Sequence, residues 1–320
     1  MHLAGFACVL CGKLHEAGLV YQCSACGGSL DAVYDYDRLF RSFRFAEAAG
    51  GTEKGIWRYA PLLPVLPSAS PVSLGEGNTP LLKSRYISKF LNIENLWFKN
   101  ETVNPTLSFK DRAQAVGATA ARQLGSERIV CASTGNTGVA AAAYAARAGL
   151  PCTVFVPAGT PEEKLGAIRA YGAKLAGVEG NYGDAYAEAG RAAAETGAFN
   201  LTSTYLNPYS IEGNKTLAYE IFAQLGDVPD WIVIPVGAGP LLDACFKGFR
   251  ELMTAGATDR LPRMAGAQAE GCAPIARAYE AGEDEVRPWG LPRTIASGIA
   301  DPLTSYPADG TRTLRPIRES

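Results

Sequence analysis

The sequence predicts an α/β fold in which parallel sheets carry helices on both faces, and two observations lead to this prediction. From Gly125 onward, short apolar segments typical of buried strands alternate with longer segments that have helical spacing. This alternation favours right-handed β–α–β crossovers, which build parallel sheets. Glycine-rich turns follow two of the strand segments, at the sheet edge where ligands bind in such folds.

Length, composition and charge agree with a globular protein of one large or two modest domains. The chain has 320 residues, 47% of them hydrophobic, and a formal net charge of −2, so it is long enough to bury a sizeable core. The balanced charge favours neither nucleic acid nor a membrane surface as a partner, and no apolar run approaches the roughly 20 residues of a membrane span. Because the N-terminus lacks a secretion signal, we expect a cytoplasmic protein with reduced cysteines.

Two Cys-x-x-Cys pairs stand near the start of the chain. Cys8 and Cys11 are separated from Cys23 and Cys26 by eleven residues, and glycines follow each pair. Four thiolates complete a tetrahedral site and leave no open position, so the expected ion is a structural Zn²⁺. The alternative is four free thiols in a chain that has lost its metal. Residues 1–30 are therefore predicted to form a zinc-ribbon-like segment.

Residues 31–84 are predicted to form an N-terminal extension and a linker. Four prolines within Pro61–Pro71 predict an extended linker on the surface. Aromatic and basic residues alternate at 38–45, a composition that also suits nucleic acid, but the helical spacing of the apolar residues favours a packed amphipathic helix.

The elements from Gly125 onward are predicted as follows. The strands are Ile129–Ala132, Thr153–Val156, Lys174–Val178, Trp231–Pro235 and, as a further candidate, Met264–Gln268. The helices are Thr137–Ala148, Glu162–Tyr171, Tyr182–Thr196, Ile211–Leu225 and Leu241–Thr254.

A lysine at the start of a further predicted helix is the candidate catalytic residue. Asn104-Pro105 indicates a turn, Ser108 is placed to cap a helix entered at Phe109, and Asp111 falls in its first turn. A lysine shielded from water loses its proton readily, and the neutral amine forms a Schiff base with an aldehyde. The alternative is that Lys110 is a solvated side chain without a chemical role.

The segment Asn104–Arg112 reads Asn-Pro-Thr-Leu-Ser-Phe-Lys-Asp-Arg and resembles the cofactor-lysine motif of the threonine synthase family. This family belongs to the fold-type II pyridoxal 5'-phosphate (PLP) enzymes. Other motifs of the family occur in the same order: Glu76–Leu81, Ser133–Thr137, Asn207–Tyr209 with Glu212-Gly213, Pro235–Gly239 and Gln268–Gly271. The resemblance implies a tryptophan synthase β-like catalytic region over 85–320, made of two interleaved subdomains with the smaller at about 113–200.

The resemblance also implies roles for individual residues, with Lys110 as the catalytic lysine that carries the cofactor. The residues implied to bind the cofactor are Lys110, Phe109, Asn136, Gly237, Ala238, Gly239 and Leu241. Those implied to receive the substrate carboxylate are Ser133, Thr134, Gly135 and Thr137. Backbone N–H groups at a helix start do form anion sites, but an ordinary helix cap explains the second group equally well at this point.

The sequence departs from the family pattern at several positions. Pro240 removes one N–H from the implied phosphate cradle, and Leu107, which replaces a common glycine, is expected to narrow the pocket. Ser210 and the pair Thr204-Tyr205 replace residues expected to contact a substrate phosphate. Because relatives continue beyond Ser320, we expect a C-terminal part to be missing, together with the partner of the pyridine nitrogen.

The implied function is a PLP-dependent carbon–oxygen lyase that converts O-phosphohomoserine and water into threonine and phosphate. A small amino acid is the expected partner, a homodimer is a possible assembly, and neither nucleic acid nor membrane is expected. One alternative is β-elimination or β-replacement on serine, threonine or a phosphoserine-like amino acid, as in a dehydratase or a cysteate synthase. Another is a non-catalytic, degenerate PLP fold whose zinc ribbon is an interaction module.

Overall fold

The strands of the protein form four sheets in the computed structural model, which describes residues 2–66 and 70–320. A four-stranded parallel sheet lies at the centre of the described chain, and a three-stranded antiparallel sheet lies at its N-terminus. Two two-stranded sheets, one antiparallel and one parallel, complete the set. No helix within the described residues has the length and hydrophobicity needed to cross a bilayer.

The N-terminal sheet is packed on the rest of the protein. Its strands are β1 (Leu3–Cys8), β2 (Leu14–His15) and β3 (Leu30–Tyr34), in the order β2-β1-β3. The ring of Phe6 meets that of Tyr209 with centroids 4.7 Å apart. The hydroxyl of Tyr34 donates a hydrogen bond to buried Glu212 at 2.8 Å. This segment, called the ribbon below (residues 2–34), therefore packs directly against the helix Pro208–Asn214, which contains Tyr209 and Glu212.

The following segment is helical and largely buried. It contains α1 (Tyr36–Ser42), α2 (Phe45–Gly50) and a 3-10 helix at Gly55–Leu62. The buried side chain of Leu39 confirms a packed helix in this segment. The prediction of a surface linker over Pro61–Pro71 is wrong for Leu62–Val65, which are buried. The apolar side chains between the prolines decide this, since proline prevents regular structure but not burial; Pro67, Ser68 and Ala69 lie outside the described residues.

A small antiparallel sheet precedes the candidate lysine. Its strands β4 (Leu81–Lys83) and β5 (Trp97–Lys99) are joined through α3 (Ile87–Leu91), and a 3-10 helix at Glu101–Val103 follows.

The central sheet has the strand order β8-β7-β6-β9, and every neighbouring pair is parallel. In chain order its elements are α4 (Lys110–Gln123), β6 (Ile129–Ala132), α5 (Asn136–Ala148), β7 (Cys152–Pro157), α6 (Glu162–Ala170), β8 (Lys174–Val178), α7 (Tyr182–Thr196) and β9 (Phe199–Asn200). Val130 and Ala132 pack with the alanines of α7, whereas Ile129 and Cys131 pack in the core that contains α5. Alternate residues of a strand face opposite ways, so helices cover both faces as predicted.

The remainder of the chain contains a second parallel pair. Its elements are α8 (Pro208–Asn214), α9 (Thr216–Leu225), β10 (Trp231–Pro235), α10 (Pro240–Thr254), β11 (Arg263–Ala267), α11 (Pro274–Glu280) and α12 (Pro307–Glu319), with a 3-10 turn at Ser297–Ile299. Strand β10 pairs with β11, which confirms both predicted strands to within one residue. The predicted helix Ile211–Leu225 is two helices that meet at Lys215. The ammonium of this residue is buried between Glu212 and Glu251, at 2.7 and 2.8 Å.

A buried ion cluster joins α4 to α9 and to the turn after β5. The guanidinium of Arg112, fully buried, donates to Glu101 at 2.7 and 2.8 Å and to both oxygens of Glu220 at 2.8 Å. Burial opposes ionisation of Glu220, but Arg112 outweighs it and lowers the pKa of this carboxyl to about 2. The cluster therefore fixes the first turn of α4, where Lys110 lies.

We expect Arg112→Met to lower the free energy of unfolding by about 3–5 kcal/mol, because Glu101 and Glu220 both lose the buried guanidinium and Lys99 remains as a partner of Glu220 alone. The matched control is Arg169→Met, which removes an exposed pair with Glu162 and is expected to cost about 0–1 kcal/mol. Urea denaturation followed by circular dichroism measures both. Equal losses for the two variants would contradict a special role of the buried cluster.

Candidate functional site

A cavity of about 1990 Å³ lies beyond the carboxyl ends of β6 and β10. All eleven residues for which a cofactor or substrate role is implied line this one cavity: Phe109, Lys110, Ser133, Thr134, Gly135, Asn136, Thr137, Gly237, Ala238, Gly239 and Leu241. Such a cavity at the strand ends of an α/β sheet is the usual ligand site of this architecture. The fold thus brings together motifs that are more than a hundred residues apart, while the role of each residue stays a prediction.

Lys110 lies in the first turn of α4 and is partly buried in the cavity wall. Its Nζ donates a hydrogen bond to the hydroxyl of Ser203 at 3.1 Å and lies 4.6 Å from the ring centroid of Phe109. Loss of hydration lowers the pKa of Lys110 to about 8, although the Asp301 carboxylate acts in the opposite direction. The side chain is therefore not a solvated lysine, and a sizeable neutral fraction is present near physiological pH.

The turn before α4 differs in detail from the predicted cap. The N-cap residue is Phe109, without a side-chain cap, and Ser108 Oγ accepts only from the Lys110 N–H, at 3.3 Å. Asp111 is buried and accepts from the backbone N–H of Thr106 at 2.9 Å. The turn is thus held from inside by Asp111.

The loop Ser133–Gly135 leads from β6 into α5 without a side-chain cap. Gly135 is the N-cap residue, and no side chain bonds to the first turn of α5. The first N–H groups of a helix have no partners within the helix, and here the residues that carry them, Asn136 and Thr137, line the cavity. An ordinary cap does not explain the motif, whereas an anion such as a carboxylate fits the free N–H groups.

The loop Gly237–Gly239, called the phosphate loop below after the role that the resemblance implies for it, leads from β10 into α10 in a similar way. Gly239 has a φ of 98°, and a Cβ at this position would overlap the side chain of Thr313, so only glycine fits. Pro240 occupies the first helical position and donates no hydrogen bond. No side chain caps the helix start. The N–H groups of Leu242 and Asp243 donate to the carbonyl of Gly239 at 3.0 and 3.2 Å, so the N–H of Leu241 is the one left in this turn for an anion.

Two further residues that line the cavity, Ser203 and Asp301, were not predicted from the sequence. Ser203 follows β9, 93 residues from Lys110, and its neighbour Thr204 has a φ of 90°, a strained value for a β-branched residue. Asp301 lies beside Gly237 and accepts a hydrogen bond from the Tyr306 hydroxyl at 3.3 Å. Burial raises the pKa of Asp301. No local pattern marks these residues, except for the Thr-Ser-Thr run after β9 and the Asp-Pro turn.

The departures from the family pattern have different consequences in three dimensions. The prediction that Leu107 narrows the pocket is wrong, since its side chain is 72% exposed and is not part of the cavity lining. Its φ of 63° explains why glycine is common at this position. Ser210 and Tyr205 are buried outside the cavity lining, and only Thr204 of these positions faces the cavity.

The four ribbon cysteines form one cluster, with all sulfurs within 4.8 Å of one another. The Sγ atoms of Cys8 and Cys26 are 3.4 Å apart, those of Cys11 and Cys26 3.5 Å, and those of Cys11 and Cys23 3.6 Å. A tetrahedral ion with bonds of about 2.3 Å requires sulfurs separated by about 3.8 Å. The cluster therefore fits a structural metal ion.

Comparison with known proteins shows the family to which the chain belongs. Residues 72–320 match the family described as pyridoxal-phosphate dependent enzyme. The chain is 41% identical over 317 residues to threonine synthase of Methanosarcina acetivorans, covering 98% of this chain and 76% of the relative. It is 42% identical over 295 residues to threonine synthase of Methanocaldococcus jannaschii, covering 91% of this chain and 72% of the relative. The chain belongs to the threonine synthase family of PLP-dependent enzymes.

Solved structures of other proteins share the fold of this chain. A threonine deaminase from T.th. is 28% identical with a TM-score of 0.63, over 75% of this chain and 73% of that chain. Maize serine racemase, at 24% identity and a TM-score of 0.62 over 74% and 69% of the two chains, shows the shared fold. The site described above fits the cofactor of this family: it offers a lysine with a lowered pKa and two uncapped helix starts.

We expect the reactivity of Lys110 towards acylating reagents to rise with pH with a midpoint near pH 8, because only the neutral amine reacts and its pKa is about 8. Exposed lysines keep rising towards about pH 10.4. Tracer labelling of the cofactor-free protein with acetic anhydride, followed by peptide mass mapping from neutral to strongly alkaline pH, measures this. A midpoint for Lys110 equal to that of the exposed lysines would refute the shielded amine.

We expect the purified protein to contain about one zinc ion per chain, since four thiolates complete one tetrahedral site. Cys26→Ser should lower this content strongly, whereas Cys152→Ala, which alters a buried thiol in β7, should leave it unchanged. Elemental analysis after dialysis gives the stoichiometry. Freely titratable thiols at all four ribbon cysteines, with no bound metal, would contradict the prediction.

Proposed function

We propose that this protein is a threonine synthase, which converts O-phosphohomoserine and water into threonine and phosphate. The observation that carries the proposal is the position of Lys110. Its amine has a lowered pKa and lies in one cavity with two uncapped helix starts, in a chain that belongs to the threonine synthase family. These are the groups needed to hold an aldehyde cofactor, its phosphate and a substrate carboxylate.

PLP, when bound, supplies an electron sink for negative charge at the substrate Cα. The chain's own residues supply binding and proton transfer. Lys110 Nζ takes up and returns protons, and a pKa of about 8 suits both directions. Ser203 orients this amine through the hydrogen bond of 3.1 Å. The first turn of α5 holds the substrate carboxylate, and the start of α10 holds the cofactor phosphate.

A phosphate ester has few cationic partners in this cavity. Among the described lining residues, three basic side chains are Lys99, Lys110 and Arg260. Lys99 is paired with Glu220 at 2.8 Å, and Arg260 is paired with Asp227 and Asp230 at 3.1 Å. We propose that N–H groups and hydroxyls hold most of the substrate phosphate.

The small number of unpaired cationic side chains in the cavity supports a second candidate function. This function is PLP-dependent elimination or replacement on serine, threonine or a phosphoserine-like amino acid. A cavity whose cations are largely engaged suits an uncharged leaving group. The 28% identity with a threonine deaminase also supports this second function. We rank it second because the similarity to threonine synthases is closer and covers more of the chain.

The remaining features of the proposal concern the whole chain. We propose a structural Zn²⁺ in residues 1–30, an extension at 31–84 and a catalytic region at 85–320. We further propose a small amino acid as the partner, a cytoplasmic location and assembly as a homodimer.

Phosphate release from O-phosphohomoserine, compared with keto-acid release from serine and threonine, distinguishes the two functions. We expect phosphate release to dominate, and Lys110→Ala to lower it by about 10²–10⁴-fold, because the proton-transferring amine is lost. Ser203→Ala is expected to cost much less, since it removes only an orienting hydrogen bond. Keto acid as the main product would favour the second function, and neither product would refute both.

A further inference from the structure

Helix α12 lies between the ribbon and the phosphate loop. Of two adjacent residues on it, Arg312 contacts the ribbon and Thr313 contacts the loop. Arg312 and Thr313 are buried, although they belong to a helix near the end of the chain. No role is implied for either by the family motifs described above.

Thr313 supports the phosphate loop from behind. Its hydroxyl donates a hydrogen bond to the carbonyl of Ala238 at 2.6 Å, and its oxygen lies 2.8 Å from the hydroxyl of Tyr205. The side chain of Thr313 also fills the space that a Cβ at Gly239 would need. The position of α12 therefore decides the position of this loop.

Arg312 links the same helix to the start of α10 and to the ribbon. Its Nε donates to Asp243, in the first turn of α10, at 2.8 Å. Its Nη2 donates to Asp31 at 3.1 Å and its Nη1 to the carbonyl of Leu30 at 3.2 Å. The guanidinium lies 4.3 Å from the ring centroid of Tyr205. One side chain thus joins β3, α10 and the wall behind the phosphate loop.

The acceptors on β3 are tied to the metal cluster through strand pairing. In the register of β1 and β3, Cys8 is the partner of Leu30 and Ala7 is the partner of Asp31. Gly28 lies against the sulfur of Cys8, with no space for a larger residue. A change in the position of Cys8 therefore moves the backbone and the carboxylate that hold Arg312.

We propose that Arg312 and Thr313 are positioning residues that couple the four-cysteine ribbon to the phosphate loop, so that metal in the ribbon strengthens binding of the cofactor's phosphate. The inference rests on the proposed PLP and zinc sites. Thermodynamic linkage requires the converse effect, in which PLP strengthens zinc binding by the same factor. Couplings of this kind typically amount to about 5–150-fold.

The test compares PLP with pyridoxal, which lacks the phosphate, in titrations followed by absorbance and fluorescence. In the zinc-loaded full-length protein, removal of zinc with a chelator should raise the Kd for PLP about tenfold and leave that for pyridoxal nearly unchanged. A general loss of structure would weaken both ligands. Zinc affinity, measured by chelator competition, should fall by the same factor when PLP is absent.

Variants of Arg312 and of its partner Asp31 test whether the coupling passes through this link. Arg312→Met should weaken PLP binding about tenfold in the zinc-loaded protein, and removal of zinc from this variant should then have little further effect. Arg312→Lys should restore part of the affinity. The matched control is Arg315→Met, which removes a contact of 3.2 Å between α12 and the carbonyl of Val9 but touches neither Asp243 nor the loop. Asp31→Asn weakens the ribbon end of the link, where the carbonyl of Leu30 remains as an acceptor, and it also removes the ion pair between Asp31 and Lys247. It leaves Arg312 in place and is the variant to use if Arg312→Met does not fold.

Three results would overturn the inference. Unchanged PLP affinity after verified zinc removal would sink it and leave the proposed function standing. Equal weakening of PLP and pyridoxal would show general destabilisation instead of a phosphate-specific effect. A zinc-loaded wild-type protein that binds neither ligand would remove the inference together with the PLP assignment.

Discussion

The burial of Arg112 between two carboxylates is the constraint on which the site depends. A buried guanidinium is tolerated only when its donors are satisfied, and removal of either side is costly. Glu101 comes from the turn after β5 and Glu220 from α9, so the ion cluster joins three separate parts of the chain. Because Arg112 lies two residues after Lys110, this cluster also fixes where the reactive amine enters the cavity.

The cavity combines one amine with two helix starts, and each component has a physical reason for its place. Parallel strands end at the same edge of a sheet, so the loops after β6 and β10 open towards one space. Neither α5 nor α10 has a side-chain cap, which leaves N–H groups free for anions. The strained backbone of Thr204 and the carboxylate of Asp301 lie in the same space, and strain of this kind concentrates at functional sites.

The ribbon is part of this arrangement and not a detached module. Tyr34 reaches Glu212, Asp31 and Leu30 accept from Arg312, and the buried rings of Phe6 and Tyr209 are in contact. These contacts argue against a degenerate enzyme whose ribbon serves only outside partners. They give a metal ion in the ribbon a physical route to the wall of the active-site cavity.

The sequence by itself determined the alternation of strands and helices from Gly125 onward, five of the six strands between Ile129 and Ala267 (β9 was missed), the membership of the family and the candidate residues around Lys110. These features depend on local periodicity and on contiguous motifs, so they can be predicted from the sequence alone. Only the tertiary structure decided that Leu62–Val65 are buried, that Leu107 points away from the cavity, and that Ser203 and Asp301 lie beside Lys110. The physical reason is that burial and long-range contacts depend on which distant segments meet, and spacing along the chain does not encode that.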